Sequence, residues 1–112
     1  MVDGTTIQVD LHGGHERVCY LGIEPLGPPA TEANRHLVQG QHVWLELDRP
    51  LRAADGCLLA YVSVGDRMVN AELVRQGYAQ VTAFPPSVKY RELFLTLQRE
   101  AREAGRGFWG AQ

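Results

Sequence analysis

The side chains best suited to metal chemistry lie close together near the start of the chain. His12 and His15 flank two glycines, and Glu16 follows directly. Imidazole and carboxylate groups bind zinc, but zinc sites space their ligands in patterns that this segment lacks. A Gly-Gly pair is typical of a hairpin turn, because glycine adopts positive φ without steric cost. We therefore expect solvated turn residues here, and surface positions for His36 and His42, which show no partner pattern.

The charged residues give little support for a dedicated nucleic-acid binder. The 112-residue chain has a formal net charge of −2 and a pI of about 6.0. Phosphate contacts supply most non-specific nucleic-acid affinity, and nucleic-acid-binding domains often have a pI above about 9. The arginines that could form a basic patch are interleaved with acidic residues: Arg35, Arg49, Arg52 and Arg67 among Glu32, Glu46, Asp48, Asp55 and Asp66. This pattern favours a mixed, solvated surface.

Exposed aromatic rings would provide a second route to nucleic acid, because bases stack on them. Most of the aromatic residues lie in apolar stretches and are expected in the core: Tyr20, Trp44, Tyr61, Phe94 and Trp109. Phe108 is expected to fold back onto the core together with Trp109. Tyr78 and Phe84 flank a predicted loop, so they are the best candidates for exposed aromatic rings that bind a ligand.

Length and composition predict one folded domain. A chain of 112 residues, of which 45% are hydrophobic, is long enough to bury one core. No apolar run reaches the roughly 18 residues that a membrane span requires. Strand-like sequence follows Met1 directly, so no signal peptide is expected. The compartment, the oligomeric state and the parent protein stay open at this point.

Hydrophobic periodicity and turn residues predict five strands and three helices. The predicted strands are residues 6–11, 16–23, 42–48, 56–64 and 79–83, and the predicted helices are residues 31–38, 70–76 and 88–104. Short alternating strands with a helix between the later ones favour a small Greek-key β-barrel, the OB-fold. The expected fold class is therefore mainly β with helices: a five-stranded OB-fold barrel with about three helices.

Cap residues set the expected helix boundaries. Thr31, Asn70 and Ser87 suit N-caps, because their side-chain oxygens accept a backbone N–H of the first turn. Gly77 is expected to end the central helix in the left-handed conformation. The proline-rich segment 24–29 is expected to be a loop, because proline lacks the N–H that helices and ladders use.

Three segments together resemble the staphylococcal-nuclease-like, or thermonuclease, family. They are Tyr20-Leu21-Gly22-Ile23, the segment Met68-Val69-Asn70-Ala71-Glu72-Leu73-Val74-Arg75-Gln76-Gly77, and Gly107-Phe108-Trp109-Gly110. The resemblance covers nearly the whole chain and implies the OB-fold. It also implies a family activity, calcium-dependent hydrolysis of DNA and RNA. Family members carry strand residues before the first turn, so residues 1–112 are expected to be a single domain that is excised or N-terminally trimmed.

The family's calcium positions are altered in this chain. The resemblance aligns the family's Asp-Gly-Asp-Thr turn with Asp3-Gly4-Thr5-Thr6, so Thr5 stands where the family has a calcium-binding aspartate. Glu24 takes the place of a second calcium aspartate, and Pro25 that of a threonine whose carbonyl binds the metal. Calcium favours several oxygen ligands, with carboxylates for charge. We therefore expect no bound metal and no other cofactor.

The positions that the family uses on the phosphate are altered too. Gly27 stands where the resemblance places the catalytic glutamate, and Cys19 and Cys57 stand where it places two phosphate-clamping arginines. Guanidinium groups match phosphate oxygens bidentately, which neither glycine nor cysteine can do. The family's catalytic residues are therefore not intact.

The resemblance also bears on the two cysteines, because the arginines they replace converge on one phosphate. The favoured interpretation is that Cys19 and Cys57 are two small apolar thiols that fill the vacated site. A disulfide is a second interpretation, and it requires Cα atoms within roughly 7 Å. A thiol-based metal or redox site is the third, with no neighbouring histidine pattern to support it.

Relocated residues are the alternative to a lost site. Arg17 lies on the same strand face as Cys19, about 7 Å along the strand, and is a candidate phosphate contact. Substitute carboxylates would have to come from Glu16, Glu32 or Asp55. The sequence favours a non-catalytic domain that binds protein, or weakly binds nucleic acid, as a scaffold. The alternative function is a calcium-dependent nuclease with relocated catalytic residues.

Overall fold

The computed structural model describes residues 4–82 and 89–111 of the chain. The strands in these ranges are β1 (Thr6–Leu11), β2 (Gly14–Tyr20), β3 (Ile23–Pro25), β4 (Trp44–Arg52), β5 (Leu58–Val64), β6 (Arg67–Met68) and β7 (Ala79–Val81). The helices are α1 (Pro29–Val38), α2 (Val69–Arg75), α3 (Arg91–Ala104) and the 3-10 helix Gly107–Ala111. None of these helices is long and apolar enough to cross a membrane.

The main sheet has the strand order β1-β2-β5-β4, with β6 paired to the end of β5. Strands β1 and β2 are antiparallel, β2 and β5 are parallel, and β4 and β5 are antiparallel. Strands β3 and β7 form a separate antiparallel pair. Within the described ranges the sheet ends at β1 and β4 and does not close. This mainly β architecture with three helices confirms the predicted fold class and is consistent with an OB-fold.

The second predicted strand is divided into β2 and β3 by a turn at Leu21 and Gly22. Gly22 has a φ of +82°, and a Cβ atom at this position would lie 3.0 Å from the ring of Phe94. A side chain would therefore meet both backbone strain and the core. The apolar residues on both sides of the glycine made the segment read as one continuous strand.

The prediction of a loop over segment 24–29 is wrong at both of its ends. Pro25 is the last residue of β3, opposite Ala79, and Pro29 is the first residue of α1. Proline is well suited to the first helical position, because the N–H group there needs no intrahelical partner. Pro28 therefore occupies the N-cap position, and Thr31 lies inside the helix.

Asn70 is not an N-cap but a fully buried connector. Its Oδ1 accepts a hydrogen bond from the backbone N–H of Val62 at 2.8 Å, and its Nδ2 donates to the carbonyl of Leu21 at 3.0 Å. The N-cap of α2 is Met68, which makes no side-chain capping bond. Asn70 therefore joins α2 to β5 and to the turn between β2 and β3.

Gly77 follows α2 with a φ of +84°, as predicted for the end of this helix. Its carbonyl accepts the N–H of Phe108 at 2.9 Å, and a Cβ on it would lie 2.1 Å from the carbonyl oxygen of Arg106. The missing side chain allows the 3-10 helix to pack directly against the end of α2. Phe108 is 41% exposed, so the expectation that it folds onto the core is wrong. Trp109 is partly buried, with the guanidinium of Arg102 5.1 Å from its ring centre.

Three of the aromatic residues expected in the core are buried there: Tyr20, Tyr61 and Phe94. Trp44 is not, because its side chain is 69% exposed. It begins β4, the outer strand of the sheet, and its neighbour Leu45 is the partly buried residue that packs against the core. The alternation along β4 therefore directs the tryptophan outward.

Several other element boundaries differ from those predicted, and the differences at the end of β4 and the start of α3 are the larger ones. Strand β4 continues to Arg52 through much of the predicted loop, with a register shift between Leu47 and Arg52 and a cis peptide bond between Arg49 and Pro50. Helix α3 begins at Arg91. The earlier start predicted at residue 88, and its cap at residue 87, lie outside the described residues.

Candidate functional site

A cleft of about 610 Å³ opens between the β2–β3 turn and the segment around residues 50–54. Its lining residues are Tyr20, Leu21, Gly22, Ile23, Glu24, Pro50, Arg52, Ala53, Ala54, Leu59 and Thr82. The volume lies within the range of small-molecule sites. Glu24 and Arg52 are its charged side chains, and they bring one carboxylate and one guanidinium to an otherwise largely apolar cleft.

Cys19 and Cys57 form a disulfide, with a Cα–Cα distance of 5.9 Å. Cys19 is on β2, one residue before its end, and Cys57 immediately precedes β5. The parallel pairing of these strands sets Val18 opposite Leu58, and this register brings the two sulfur atoms together. The favoured interpretation of two free thiols is therefore wrong. The resemblance implied that the two positions converge, while the short distance depends on the strand register.

Two ion pairs connect the same two segments. Arg52 donates to both carboxylate oxygens of Glu16, at 2.9 and 3.3 Å, and also to the carbonyl of Gly56 at 2.9 Å. Arg17 lies 2.7 Å from a carboxylate oxygen of Asp55. Strand β2 is therefore attached to the 52–57 segment by two ion pairs and a disulfide.

These contacts stabilise the charged forms of both carboxylates. The hydrogen bond from Arg52 lowers the pKa of Glu16 and raises the pKa of Arg52 itself. The pKa of Asp55 is lowered first by the backbone N–H of Cys57, which donates to Oδ1 at 3.1 Å, and then by the charge of Arg17. Both arginines near the cleft thus already have an anionic partner within the chain.

The positions aligned with the family's metal site contain one carboxylate, and it is engaged. Glu24 accepts a hydrogen bond from Nε2 of Gln80 at 2.8 Å, across the β3–β7 pair. Thr5 is buried, and its carbonyl accepts the N–H of Tyr20 at 2.9 Å. Gly27 has a φ of +77° and offers no side chain. Within residues 4–82 and 89–111, His, Cys, Asp and Glu side chains form no cluster of three or more that could hold a metal ion.

The remaining candidates that the structure describes lie apart from the cleft. Tyr78 is half-buried and packs against the hydrophobic core, so it is not the exposed ring that the sequence suggested. Phe84 lies outside the described residues. His12, with a φ of +53°, and Gly13 form the turn between β1 and β2, and His15 is exposed 2.8 Å from Asp10. The hairpin prediction is thus confirmed.

Arg52 is the charged cleft residue that sequence reasoning did not single out as a site residue. Its only sequence signal was a place in a predicted loop, among other interleaved charges. The extension of β4 to Arg52 and its pairing with Leu58 place it beside Glu16. Such a position depends on strand register, which a period-two pattern does not specify across a bulge.

Comparisons with known proteins agree with the fold class. A family model described as staphylococcal nuclease homologue matches residues 10–111. The chain therefore belongs to the family of staphylococcal nuclease homologues.

Curated relatives in this family are nucleases. The chain is 34% identical to a thermonuclease of Staphylococcus intermedius, over 97% of this chain and 72% of that protein. It is 33% identical to the SPbeta prophage-derived endonuclease YokF of Bacillus subtilis, over 96% of this chain and 41% of that protein. It is 31% identical to the endonuclease YncB of the same organism, over 96% of this chain and 58% of that protein.

Proposed function

We propose that residues 1–112 form a single nuclease-family domain that does not cleave nucleic acid and acts as a binding module. The observation that carries this proposal is the Cys19–Cys57 disulfide. It joins the two positions to which the resemblance assigns the phosphate-clamping arginines. The disulfide uses both side chains to connect β2 to the residue that precedes β5, so neither side chain is available to bind a phosphate.

The charged groups near the cleft support the same proposal. A phosphate clamp needs guanidinium groups whose donors are free to bind oxygen. Arg52 donates through Nη1 and Nη2 to Glu16 and Gly56, and Arg17 is paired with Asp55. The charge of each guanidinium is therefore already balanced by a carboxylate, which would repel an incoming phosphate.

The donor set at the family's metal positions does not fit calcium. Calcium takes six to eight oxygen ligands, several of them carboxylates. Thr5 and Gly27 provide no carboxylate, and Glu24, the one carboxylate at these positions, is bonded to Gln80. We therefore derive no catalytic step through a metal at this place.

A nuclease with relocated residues is the second candidate, favoured by the relatives named above. In that case Arg52 and Glu24, which line the cleft, would act with Arg17 and with carboxylates from Glu16 or Asp55. Glu32 is less suitable, because it lies on α1, 3.6 Å from Arg35.

A cleavage assay separates the two candidates. The protein would be incubated with single-stranded DNA and with RNA in Ca²⁺, Mg²⁺ or Mn²⁺. A variant that carries Thr5→Asp, Cys19→Arg, Gly27→Glu and Cys57→Arg would be measured beside it. The matched control is Cys19→Ser with Cys57→Ser, which loses the disulfide without gaining arginines.

We expect no cleavage by the natural chain or by the serine control. Metal-dependent cleavage by the natural chain would contradict the proposed function and support relocated residues. Activity gained by the four-site variant alone would show that the substituted positions limit the chemistry of this fold.

A further inference from the structure

The end of β4 and the turn into β5 are exposed and carry one wall of the cleft. We name residues 49–56 the wall segment. All of its residues are exposed except Ala53, which is partly buried, and Leu51 is 54% exposed. The cleft residues that it contributes are Pro50, Arg52, Ala53 and Ala54. Core burial resumes at Cys57, which is 1% exposed, so the wall segment has little packing of its own to hold it in place.

Side chains attach the wall segment to β2. Asp55 pairs with Arg17, and Arg52 pairs with Glu16. All four side chains are at least 30% exposed, and ion pairs this exposed contribute little stability and weaken as salt screens them. The covalent attachment is the disulfide, whose second cysteine directly follows the segment. The disulfide is therefore the contact that fixes the wall segment against β2 at any salt concentration.

The junction between β2 and β5 has other contacts that persist without the disulfide. Three successive residues of β2 pair with the first three residues of β5. Residues 58–62 are buried in the core, and the buried Asn70 accepts the N–H of Val62. Local opening is easiest where a region has few buried contacts. Opening the disulfide should therefore release the wall segment and leave the sheet in place.

We propose that the Cys19–Cys57 disulfide is a redox switch that controls the order of this cleft wall. In the disulfide-bonded form the wall segment is fixed against β2, and the cleft has the shape described above. In the dithiol form the segment is held by the two exposed ion pairs and moves relative to β2, while the rest of the fold is retained. This proposal concerns the shape of the cleft and does not depend on whether the domain cleaves nucleic acid.

The two sulfur atoms differ in exposure, which sets the direction of the reduction. Cys19 is partly buried, whereas Cys57 is 1% exposed. A thiolate of a dithiol reductant attacks Cys19 Sγ and forms a mixed disulfide, while Cys57 leaves as a thiolate. The second thiolate of the reductant then attacks the reductant sulfur of the mixed disulfide and releases Cys19. Two electrons pass to the cysteines, the reductant closes its own disulfide, and its two thiol protons end on Cys19 and Cys57.

Backbone order parameters from NMR relaxation test the switch, because they report fast motion within the folded state. The natural chain would be measured with the disulfide intact and after reduction by dithiothreitol without oxygen. We expect the order parameters of residues 51–56 to fall from about 0.85 to below about 0.6 on reduction. Those of β5 and α2 should stay near about 0.85 in both forms.

Two variants separate the disulfide from the ion pairs. Cys19→Ser with Cys57→Ser lacks the bond in the absence of any reductant and should reproduce the mobility of the reduced chain. Glu16→Gln with Asp55→Asn removes both ion pairs and keeps the bond, so its wall segment should stay near about 0.85 until the disulfide is reduced.

Salt should act on the two redox forms differently. In the reduced natural chain, raising the salt concentration from about 0.05 M to about 0.5 M should lower the order parameters of residues 51–56 further, because the ion pairs are screened. The disulfide-bonded chain should not respond to the same change.

The rate of reduction tests whether Cys19 is attacked in the folded state. The release of thiols would be followed at several dithiothreitol concentrations and at low urea concentrations. We expect a rate that is proportional to the dithiothreitol concentration and nearly insensitive to urea, because attack on the folded chain exposes little additional surface. A rate that rises with urea as steeply as unfolding does would overturn the proposal, since the bond would then be reduced only after the chain unfolds.

Unfolding of the natural chain on reduction would also overturn the proposal, because the disulfide would then be a purely structural bond. Unchanged order parameters at residues 51–56 in a folded dithiol form would overturn it as well, because other contacts would then fix the wall segment.

Discussion

Cys57 is bonded to Cys19, and 38 residues separate the two in sequence. Asp55 accepts the backbone N–H of Cys57 and also forms an ion pair with Arg17. The covalent bond, the ion pair and the backbone hydrogen bond thus converge on one segment. In this family member the junction between β2 and β5 is held in part by a disulfide at the two positions where the resemblance places phosphate-binding arginines.

Removal of the disulfide should destabilise the fold strongly. A cross-link that closes about 38 residues lowers the entropy of the unfolded chain, by an amount worth about 4 kcal/mol. We expect Cys19→Ser with Cys57→Ser to lower the free energy of unfolding by about 2 to 5 kcal/mol. Urea unfolding with and without a reducing agent would test this. An equal effect of the reducing agent on the serine variant would show that its action does not pass through the disulfide.

Asn70 should be intolerant of substitution. Asn70→Ala leaves the N–H of Val62 and the carbonyl of Leu21 without their partner in the core, at a cost of about 2 to 5 kcal/mol for the two groups. Asn70→Asp keeps an acceptor for Val62 but no donor for Leu21, and it buries a carboxylate. Thermal unfolding would measure both variants. A destabilisation by Asn70→Ala of less than about 1 kcal/mol would contradict the connector role.

Gly77 and Gly13 form a matched pair for measuring the close approach of the 3-10 helix. Their φ values are +84° and +82°, but a Cβ would lie 2.1 Å from the Arg106 oxygen at Gly77 and would meet nothing within 4 Å at Gly13. Gly13→Ala should cost about 1 kcal/mol through backbone strain alone. Gly77→Ala should cost at least about 2 kcal/mol more, because it also overpacks the contact. Similar losses of stability in the two variants would argue against direct packing on Gly77.

Glu72 should contribute to the acid sensitivity of the fold. The hydrogen bonds from Arg75, and then from Gln76, lower its pKa below the ordinary value of 4.5. A carboxylate with a lowered folded-state pKa adds stability above its unfolded pKa, and this contribution disappears as the pH falls through the folded value. We expect Glu72→Gln to be less stable than the natural chain at pH 7 by about 1 kcal/mol.

The difference between Glu72→Gln and the natural chain should shrink as the pH falls below 4.5. Thermal unfolding between pH 7 and pH 3, on the scale of the ordinary carboxyl pKa, would follow it. Glu103→Gln is the control, because Glu103 is exposed and makes no ion pair within the described ranges. A pH-independent difference for Glu72→Gln would contradict the assigned cause.

Glu16→Gln with Asp55→Asn should increase affinity for single-stranded DNA. The double substitution releases the guanidinium groups of Arg52 and Arg17 from their anionic partners. Two added phosphate contacts should steepen the dependence of log affinity on log salt by about 1.4, since each contact contributes about 0.7 for a single strand. Fluorescence anisotropy at several salt concentrations would measure the slope.

The matched control for that experiment adds Arg17→Ala and Arg52→Ala to the double variant and should restore the original slope. An unchanged slope in the double variant itself would mean that the two arginines do not face a strand-binding surface.

Sequence alone predicted most of the architecture, because the fold depends on patterns with short range. The β1 strand and the hairpin turn at His12 and Gly13 follow from alternation and glycine chemistry, and Gly77 ends α2 as expected. Asn70 was misassigned for a physical reason. Its side chain suits a cap in isolation, and only the neighbouring strand and turn provide the buried partners that it contacts instead.

The candidate site was less accessible to sequence reasoning. The substitutions at Cys19 and Cys57 are visible in the sequence, but their bond is not, because it depends on the register of two strands 40 residues apart. The pairing of Arg52 with Glu16 likewise depends on an irregular strand. Contacts between distant segments carry no local signature, so the structure is needed to show which charges are already engaged.

The parallel pairing of Val18–Tyr20 with Leu58–Ala60 joins segments that are distant in the chain, so it is expected to form late in folding. The β1–β2 hairpin and the β4–β5 pair each involve neighbouring segments, so each needs only a short excursion of the chain to form. Pairing of β2 with β5 must close a loop of about 40 residues, and the entropy of closing it is lost before the stabilising contacts between the two strands form. The kinetic barrier to folding is therefore expected where the two hairpin-like halves meet, at the same junction that the cysteines occupy.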